Sequence, residues 1–192
     1  MKRLVIGISG ASGVIYGIRM LEVLRGKIET HLIMTERAKQ TLSLETTMPA
    51  KAAESLASFA YSDNDLSSPL ASGSFLTKGM IIIPCSIKTL SAVANSYSQT
   101  LIVRAADVNL KERRRVVLVV RETPLHLGHL RLMARVTEMG GVILPPMPAF
   151  YHRPETISEI IDHSIGKILD LFDITHQLFR RWPGGDPDIP GL

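Results

Sequence analysis

The stretch Leu4-Val-Ile-Gly-Ile-Ser9-Gly-Ala-Ser-Gly13-Val-Ile-Tyr-Gly17 decides the fold. Residues 4–9 are a nearly continuous short apolar run, which reads as a strand buried on both faces. Ser9-Gly10-Ala11-Ser12-Gly13 interrupts it, and residues 14–24 resume with helical spacing. Strand, glycine-rich turn and helix form the opening half of a βαβ unit. The alternation continues with strands at 31–35, 80–84 and 116–120 and a short fifth strand at 142–144. Helices are expected at 38–44, 87–94 and 126–139. Such alternation predicts an α/β fold of right-handed crossovers, a doubly wound and mostly parallel sheet with helices on both faces.

Composition agrees with one folded domain. The chain has 192 residues, 45% hydrophobic and 21% charged, with 14 Gly and 11 Pro. These values exclude an intrinsically disordered chain, a collagen-like repeat and a small disulfide scaffold. A last helix is expected from Pro154 at its first turn, with Ile157, Ile160, Ile161, Ile168, Leu169 and Phe172 as one apolar stripe. Beyond Trp182 the Pro/Gly-rich residues 183–192 read as an extended tail, so a single domain is expected over 1–182. The one cysteine, Cys85, cannot form an internal bridge, and no apolar run approaches the ~20 residues that span a bilayer. A cytoplasmic location with no membrane insertion is the expectation. Net charge is +4 and aromatic residues are 5%, too few for base stacking, so no nucleic-acid partner is expected. Much of the excess lies in Lys111-Glu112-Arg113-Arg114-Arg115, which reads as a solvated helix end. A modest cationic excess also suits a phosphate-bearing small molecule.

In an open parallel sheet, ligands collect beyond the carboxyl ends of the strands. After the first strand, Ser9 to Gly13 offers two hydroxyls and a helix N-terminus to an anion, although a tight turn capped by Ser12 explains the same residues. It is neither a P-loop nor G-x-G-x-x-G, since glycines stand at 7, 10, 13 and 17. After the third strand, Ser86 is a natural N-cap and exposes a second set of helix N–H groups. Cys85 reads as a half-buried thiol at the strand end rather than a nucleophile for His126 or His129. Arg104 and Lys111 share one helical face about 10 Å apart along the axis, either as an ion-pair ladder through Asp107 or as a phosphate clamp. Arg121 and Glu122 leave the fourth strand before Pro124, where a cation and a carboxylate can clamp phosphate and move a proton. Residues 62–74, rich in Ser, Asp and Asn, read as an active-site or interface loop. No Cys/His cluster has zinc spacing, and Asp170-Leu-Phe-Asp173 is not a magnesium-diphosphate motif, so no metal is expected. A phosphate leaving group would then rely on Arg and Lys.

Taken together, Gly10-Ala-Ser-Gly13, Pro84-Cys-Ser-Ile-Lys-Thr-Leu-Ser91, Arg104-Ala-Ala-Asp-Val-Asn-Leu-Lys-Glu-Arg113, Arg121-Glu-Thr-Pro-Leu125 and Pro145-Pro-Met-Pro-Ala-Phe-Tyr151 resemble the flavin prenyltransferase family of the UbiX/Pad type. The resemblance runs from about residue 2 to Trp182. It implies a Rossmann-like flavoprotein fold and transfer of a dimethylallyl group from dimethylallyl phosphate to N5 and C6 of reduced FMN. The prenylated FMN would serve UbiD-type decarboxylases in ubiquinone biosynthesis or aromatic-acid metabolism. It further implies a metal-independent homo-dodecamer built from trimers, with sites between subunits.

By position, the resemblance assigns FMN to Gly10, Ala11, Ser12, Thr35, Ser86, Ile87, Lys88, Thr89 and Arg121. It assigns the prenyl phosphate to Arg104, Lys111, Arg121, Tyr151 and Lys167, with Trp182 over the prenyl chain. Glu122 becomes the acid/base, assisted by Ser12 and Glu45, and the Arg104/Lys111 face becomes a phosphate clamp oriented by Asp107. Thr35 replaces the usual Ser and keeps the hydroxyl; Lys167 replaces the usual Arg and keeps charge without bidentate geometry. Ser96 and Thr100 stand where Gly and Asn are common. Three other readings compete: an FMN-dependent oxidoreductase or decarboxylase, a non-catalytic flavin carrier, and a nicotinamide dehydrogenase with Glu36 as ribose acid. The broken glycine spacing disfavours the last.

Overall fold

The computed structural model describes residues 3–181. They divide into two compact units, Met1–Pro145 and Pro146–Leu192. In the first unit the strands are β1 (Arg3–Ile8), β2 (Glu29–Met34), β3 (Phe59–Ser62), β4 (Gly79–Cys85), β5 (Arg115–Val120) and β6 (Val142–Ile143). Its helices are α1 (Val14–Leu24), α2 (Glu36–Glu45), α3 (Ala50–Glu54), α4 (Ile87–Ala94), α5 (Leu101–Lys111) and α6 (Leu127–Glu138). The six strands lie in the order β3-β2-β1-β4-β5-β6 and every pairing is parallel. The order reverses between β1 and β4, which makes that junction the switch point where a doubly wound sheet opens a crevice.

Alternation along the strands sorts the core into two layers. Ile8 and the Ile83 carbonyl meet α1 at Gly17, where a Cβ would lie 2.5 Å from the carbonyl oxygen. The opposite face carries Val5, Ile33, Met80, Ile82, Val116 and Leu118 against Leu90, Val93, Leu101, Ile102 and Val136 of α4, α5 and α6. β4 is buried along all seven residues, as its uniformly apolar sequence requires. Among the described residues, no helix is long and apolar enough to cross a membrane.

The structure corrects several sequence expectations. The sheet has six strands, because Phe59-Ala-Tyr-Ser adds an edge strand on β2. Thr35 is not the end of a strand: its hydroxyl accepts the Ala38 N–H at 3.1 Å and caps α2. In the second unit α7 (Ile157–Leu171) is capped by Thr156, so Pro154 precedes the helix rather than filling its first turn. Ile157, expected in the apolar stripe, is 77% exposed. Trp182 and the 183–192 tail lie outside the described residues.

Candidate active site

A cavity of about 370 Å³ opens at the switch point, bounded by Gly10, Thr35, Ser86, Lys88 and Thr89. That volume is within the roughly 300–1,000 Å³ usual for cofactor pockets. The starts of three helices border it: Thr35, Glu36 and Arg37 at α2, Ser86, Lys88 and Thr89 at α4, and Thr100, Ile102 and Val103 at α5. Each presents backbone N–H groups and the positive end of a helix dipole, and Arg37 and Lys88 add formal charge. The acids Glu36 and Asp63 line the same cavity. The mixture suits a ligand with an anionic end and a run of hydroxyls, as FMN has.

Local chemistry explains why the edges hold their shape. Ser86 caps α4 as expected, its Oγ accepting the Thr89 N–H at 3.3 Å. Ser9 is nearly fully buried; its hydroxyl donates to the Pro84 carbonyl at 3.0 Å and accepts the Ser86 N–H at 2.8 Å. This corrects the expectation that Ser9 offers a hydroxyl to phosphate. Instead it fastens the end of β1 to the end of β4. Asp63, from the loop after β3, accepts the Ile102 N–H at 2.8 Å and so caps α5. Burial, the largest influence, raises its pKa against the hydrogen bonds from Ile102 and Thr100 and the charge of Lys88.

The first turn behaves differently from expectation. Gly13, not Ser12, is the N-cap of α1; it holds φ 95, a left-handed conformation that favours glycine, and makes no side-chain cap. The Glu45 carboxylate fills that role. It accepts the Gly13 N–H at 2.9 Å and 3.2 Å and the Val14 N–H at 3.1 Å. An anion therefore already sits on the α1 N-terminus, as the Asp63 carboxylate does on that of α5, and the helix starts at the cavity capped by a hydroxyl rather than a carboxylate are those of α2 and α4. Gly10 is required for another reason, because a Cβ there would lie 2.4 Å from that of Arg37.

The expected residues fall into groups. Gly10, Thr35, Ser86, Lys88 and Thr89 line the cavity together. Ala11, Ser12, Ile87 and Arg121 are not among its lining residues, although Ala11 and Ser12 continue from Gly10 and Ile87 separates Ser86 from Lys88. The Arg121 N–H donates to the Cys85 carbonyl at 3.1 Å, placing Arg121 and the exposed Glu122 at the same sheet edge. Glu122 accepts the Thr123 N–H at 3.0 Å. Arg104 and Lys111 do not meet in one ladder. Arg104 donates to Asp107 at 3.1 Å and to the Ala71 carbonyl at 3.1 Å, whereas Lys111 pairs with Glu112. At 1.5 Å per residue Lys111 lies about 16 Å along the helix from Thr100, toward the opposite edge of the sheet. Tyr151 and Lys167 belong to the second unit. Arg114, expected in a solvated cluster, holds the Gly73 and Phe75 carbonyls at 2.6 Å and 2.8 Å. Cys85 is fully rather than half buried, and burial drives its thiol pKa far up, which leaves it inert.

The residues missed in sequence are Ser9 as a fastener and Asp63, Asn64, Tyr97 and Gln99 as cavity walls. Only the polar composition of residues 62–74 signalled part of that set. Thr100 also lines the cavity, and Ser96 holds φ 50, in the left-handed region that favours the glycine the resemblance places there.

Comparison with known proteins agrees with this architecture. Residues 1–182 match the Flavoprotein family. The flavin prenyltransferase UbiX of Escherichia coli K12 is 56% identical over 188 residues, covering 96% of this chain and 100% of that protein. The crystal structure of AnUbiX (PadA1) in complex with FMN and dimethylallyl pyrophosphate superposes with TM-score 0.94 at 47% identity, over 96% of this chain and 99% of that one. A dodecameric FMN-dependent UbiX-like decarboxylase from Escherichia coli O157:H7 gives TM-score 0.93 at 45% identity, over 95% and 100%. The chain belongs to the flavin prenyltransferase (UbiX) family of flavoproteins.

Proposed function

We propose that this protein transfers a dimethylallyl group from dimethylallyl phosphate to N5 and C6 of reduced FMN, producing prenylated FMN for UbiD-type decarboxylases. The observation that carries the reading is the cavity on three helix starts, in a chain of this family. Gly10, Ala11, Ser12, Thr35, the run 86–89 and Arg121 hold the flavin nucleotide. FMN supplies the nucleophilic ring atoms; the protein's own side chains bind, orient and move protons. Residues 1–182 act as one functional domain, and the enzyme works in the cytoplasm.

Allylic C–O cleavage places positive charge on the prenyl group and further negative charge on a phosphate that already carries about −1.5 to −2. Arg104, Lys111, Arg121 and Lys167 offset that charge and favour departure of the phosphate, with Tyr151 donating a hydrogen bond. An aromatic face over the prenyl chain favours the developing cation, the role that the resemblance gives to Trp182. Glu122, exposed at the sheet edge, relays a proton as the fourth ring closes, the one lost at C6 being balanced by one gained at the prenyl alkene carbon, with Ser12 and Glu45 assisting. Because Lys111 lies at the far end of α5 from its own cavity, it serves the cavity of a neighbouring copy. A homo-dodecamer, the assembly described for the Escherichia coli O157:H7 relative, provides such neighbours.

Two variants test the roles. Lys111→Ala is expected to raise the KM for dimethylallyl phosphate about tenfold or more while FMN affinity stays unchanged, as loss of a charge-assisted contact predicts. Glu122→Gln is expected to bind FMN and stop before the cyclised product. Unchanged prenyl-phosphate dependence in the first, or full turnover in the second, contradicts the assignment.

A further inference from the structure

The second unit contains a buried group that the proposed mechanism leaves unused. His163 on α7 is 7% exposed, and its Nε2 shares a hydrogen bond with the Tyr151 hydroxyl at 2.8 Å. The Tyr151 ring meets it edge-on at 5.5 Å, His152 stacks on its face at 4.8 Å and 9°, and Phe179 packs at 4.6 Å. Lys167 follows His163 by four residues on the same helix, so the two share a face. A histidine fixed by rings on several sides and bonded to one phenol is held for that bond.

The direction of the bond matters. Tyr151 has one hydroxyl proton, and a neutral imidazole has one N–H. If His163 accepts at Nε2, the phenol proton is spent on the ring and Tyr151 has nothing to donate. If His163 carries its proton on Nε2, the ring donates and the phenol proton points outward. A phosphate monoester dianion can only accept. We propose that His163 is a positioning residue acting through Tyr151: bound dimethylallyl phosphate selects the Nε2–H tautomer and turns the phenol O–H to donate a hydrogen bond to a phosphate oxygen. The phenol keeps its proton, and the single imidazole proton passes from Nδ1 to Nε2 by exchange with water, with no net gain or loss. This rests on the reading of Tyr151 as a phosphate ligand.

Burial first, then the charges of His152 and Lys167, hold the His163 pKa below its ordinary value, so the ring is neutral and both tautomers are accessible. As the C–O bond breaks, charge builds on the phosphate and the chain Nε2–H to Oη–H to phosphate strengthens, each bond polarising the next. The effect therefore falls on kcat and not on substrate affinity alone.

The test compares a variant that keeps shape with one that keeps the donor. His163→Phe preserves a ring between His152 and Phe179 and removes the N–H; His163→Gln places an amide N–H near the position of Nε2. With FMN saturating and dimethylallyl phosphate varied, His163→Phe is expected to lose about tenfold in kcat, the scale of one charge-assisted hydrogen bond. FMN affinity and the thermal midpoint should stay near wild type. His163→Gln should recover most of the rate, and His163→Phe combined with Tyr151→Phe should be no worse than Tyr151→Phe alone. Wild-type kcat in His163→Phe, a Gln variant no better than Phe, or multiplying losses in the double variant would overturn the proposal. An unaffected Tyr151→Phe enzyme overturns the phosphate reading beneath it, whereas an impaired Tyr151→Phe beside a normal His163→Phe defeats only the role given to His163.

Discussion

At the scale of single residues, the switch point is held by a serine that makes no use of its accessibility. Ser9 joins the Pro84 carbonyl and the Ser86 N–H across the reversal in strand order. Removing its hydroxyl leaves a buried N–H and a carbonyl without that partner, which costs about 1–3 kcal/mol. Ser9→Ala should therefore unfold at lower denaturant and bind FMN more weakly, because Ser86 borders the cavity. Denaturant titration and flavin-fluorescence titration check both parts; a variant matching wild type in each would show that the bridge is dispensable. The sequence around Ser9 pointed to the right loop and the wrong task. A hydroxyl in a glycine-rich turn reads as a ligand donor until the distance to β4, a tertiary fact, is known. For Glu45, too, only the fold reveals a contact the spacing could not give: its carboxylate reaches the α1 N-terminus from the far end of α2.

At the scale of elements, α5 joins two parts of the account. Its start borders the cavity, and it carries Arg104 and Lys111 along its length. Asp63 fixes that start by accepting the Ile102 N–H, and Asp63 belongs to the loop after the edge strand β3. Loss of an N-cap carboxylate costs about 0.5–2 kcal/mol. Asp63→Ala should lose that much stability and weaken FMN binding, while Asp63→Asn, which keeps an acceptor oxygen, should lose less. Equal unfolding midpoints for Asp63→Ala and wild type would remove the cap from the explanation.

Elements were legible in sequence in proportion to their length and pattern. α1 and α4 are found at their expected bounds, since each follows a buried strand and shows unbroken helical spacing. β3 escaped because four residues with an exposed phenylalanine carry no clear alternation, and its strand character comes from pairing with β2. The helical spacing of Arg104 and Lys111 was readable, but their separation was not. Seven residues place them on one face, and only the direction of α5 across the sheet carries Lys111 away from the cavity that Thr100 borders.

At the scale of the whole molecule, buried histidines set the response to acid. His31 bonds Tyr61 through Nδ1 at 3.0 Å and Glu29 through Nε2 at 2.9 Å. Burial, outweighing the pull of Glu29, holds its pKa below the ordinary imidazole value, and His163 is lowered in the same direction. Unfolded, each takes a proton near pH 6.5; folded, each resists it. The unfolded chain thus binds more protons, and stability present above that pH is lost as pH falls through it, by up to about 1.4 kcal/mol per unit for each group. Urea midpoints should fall from pH 7.5 to pH 5.5, and a flat or rising midpoint would contradict the assignment. Glu29 and Asp170 are held low by hydrogen bonds, chiefly from His31 and from Arg181 respectively, and extend the same trend at more acid pH. Asp63, raised by burial, works against it in the carboxylate range.

On the proposed reading, the cavity between β1 and β4 holds reduced FMN while fixed cations draw phosphate from an isoprene unit beside it. The most direct measurement is the mass and absorbance of the flavin recovered after anaerobic incubation of the enzyme with reduced FMN and dimethylallyl phosphate. A flavin heavier by one dimethylallyl unit, with the altered spectrum of a fourth ring, is the predicted result. Recovery of unmodified FMN, from enzyme shown to have bound it, would contradict the account.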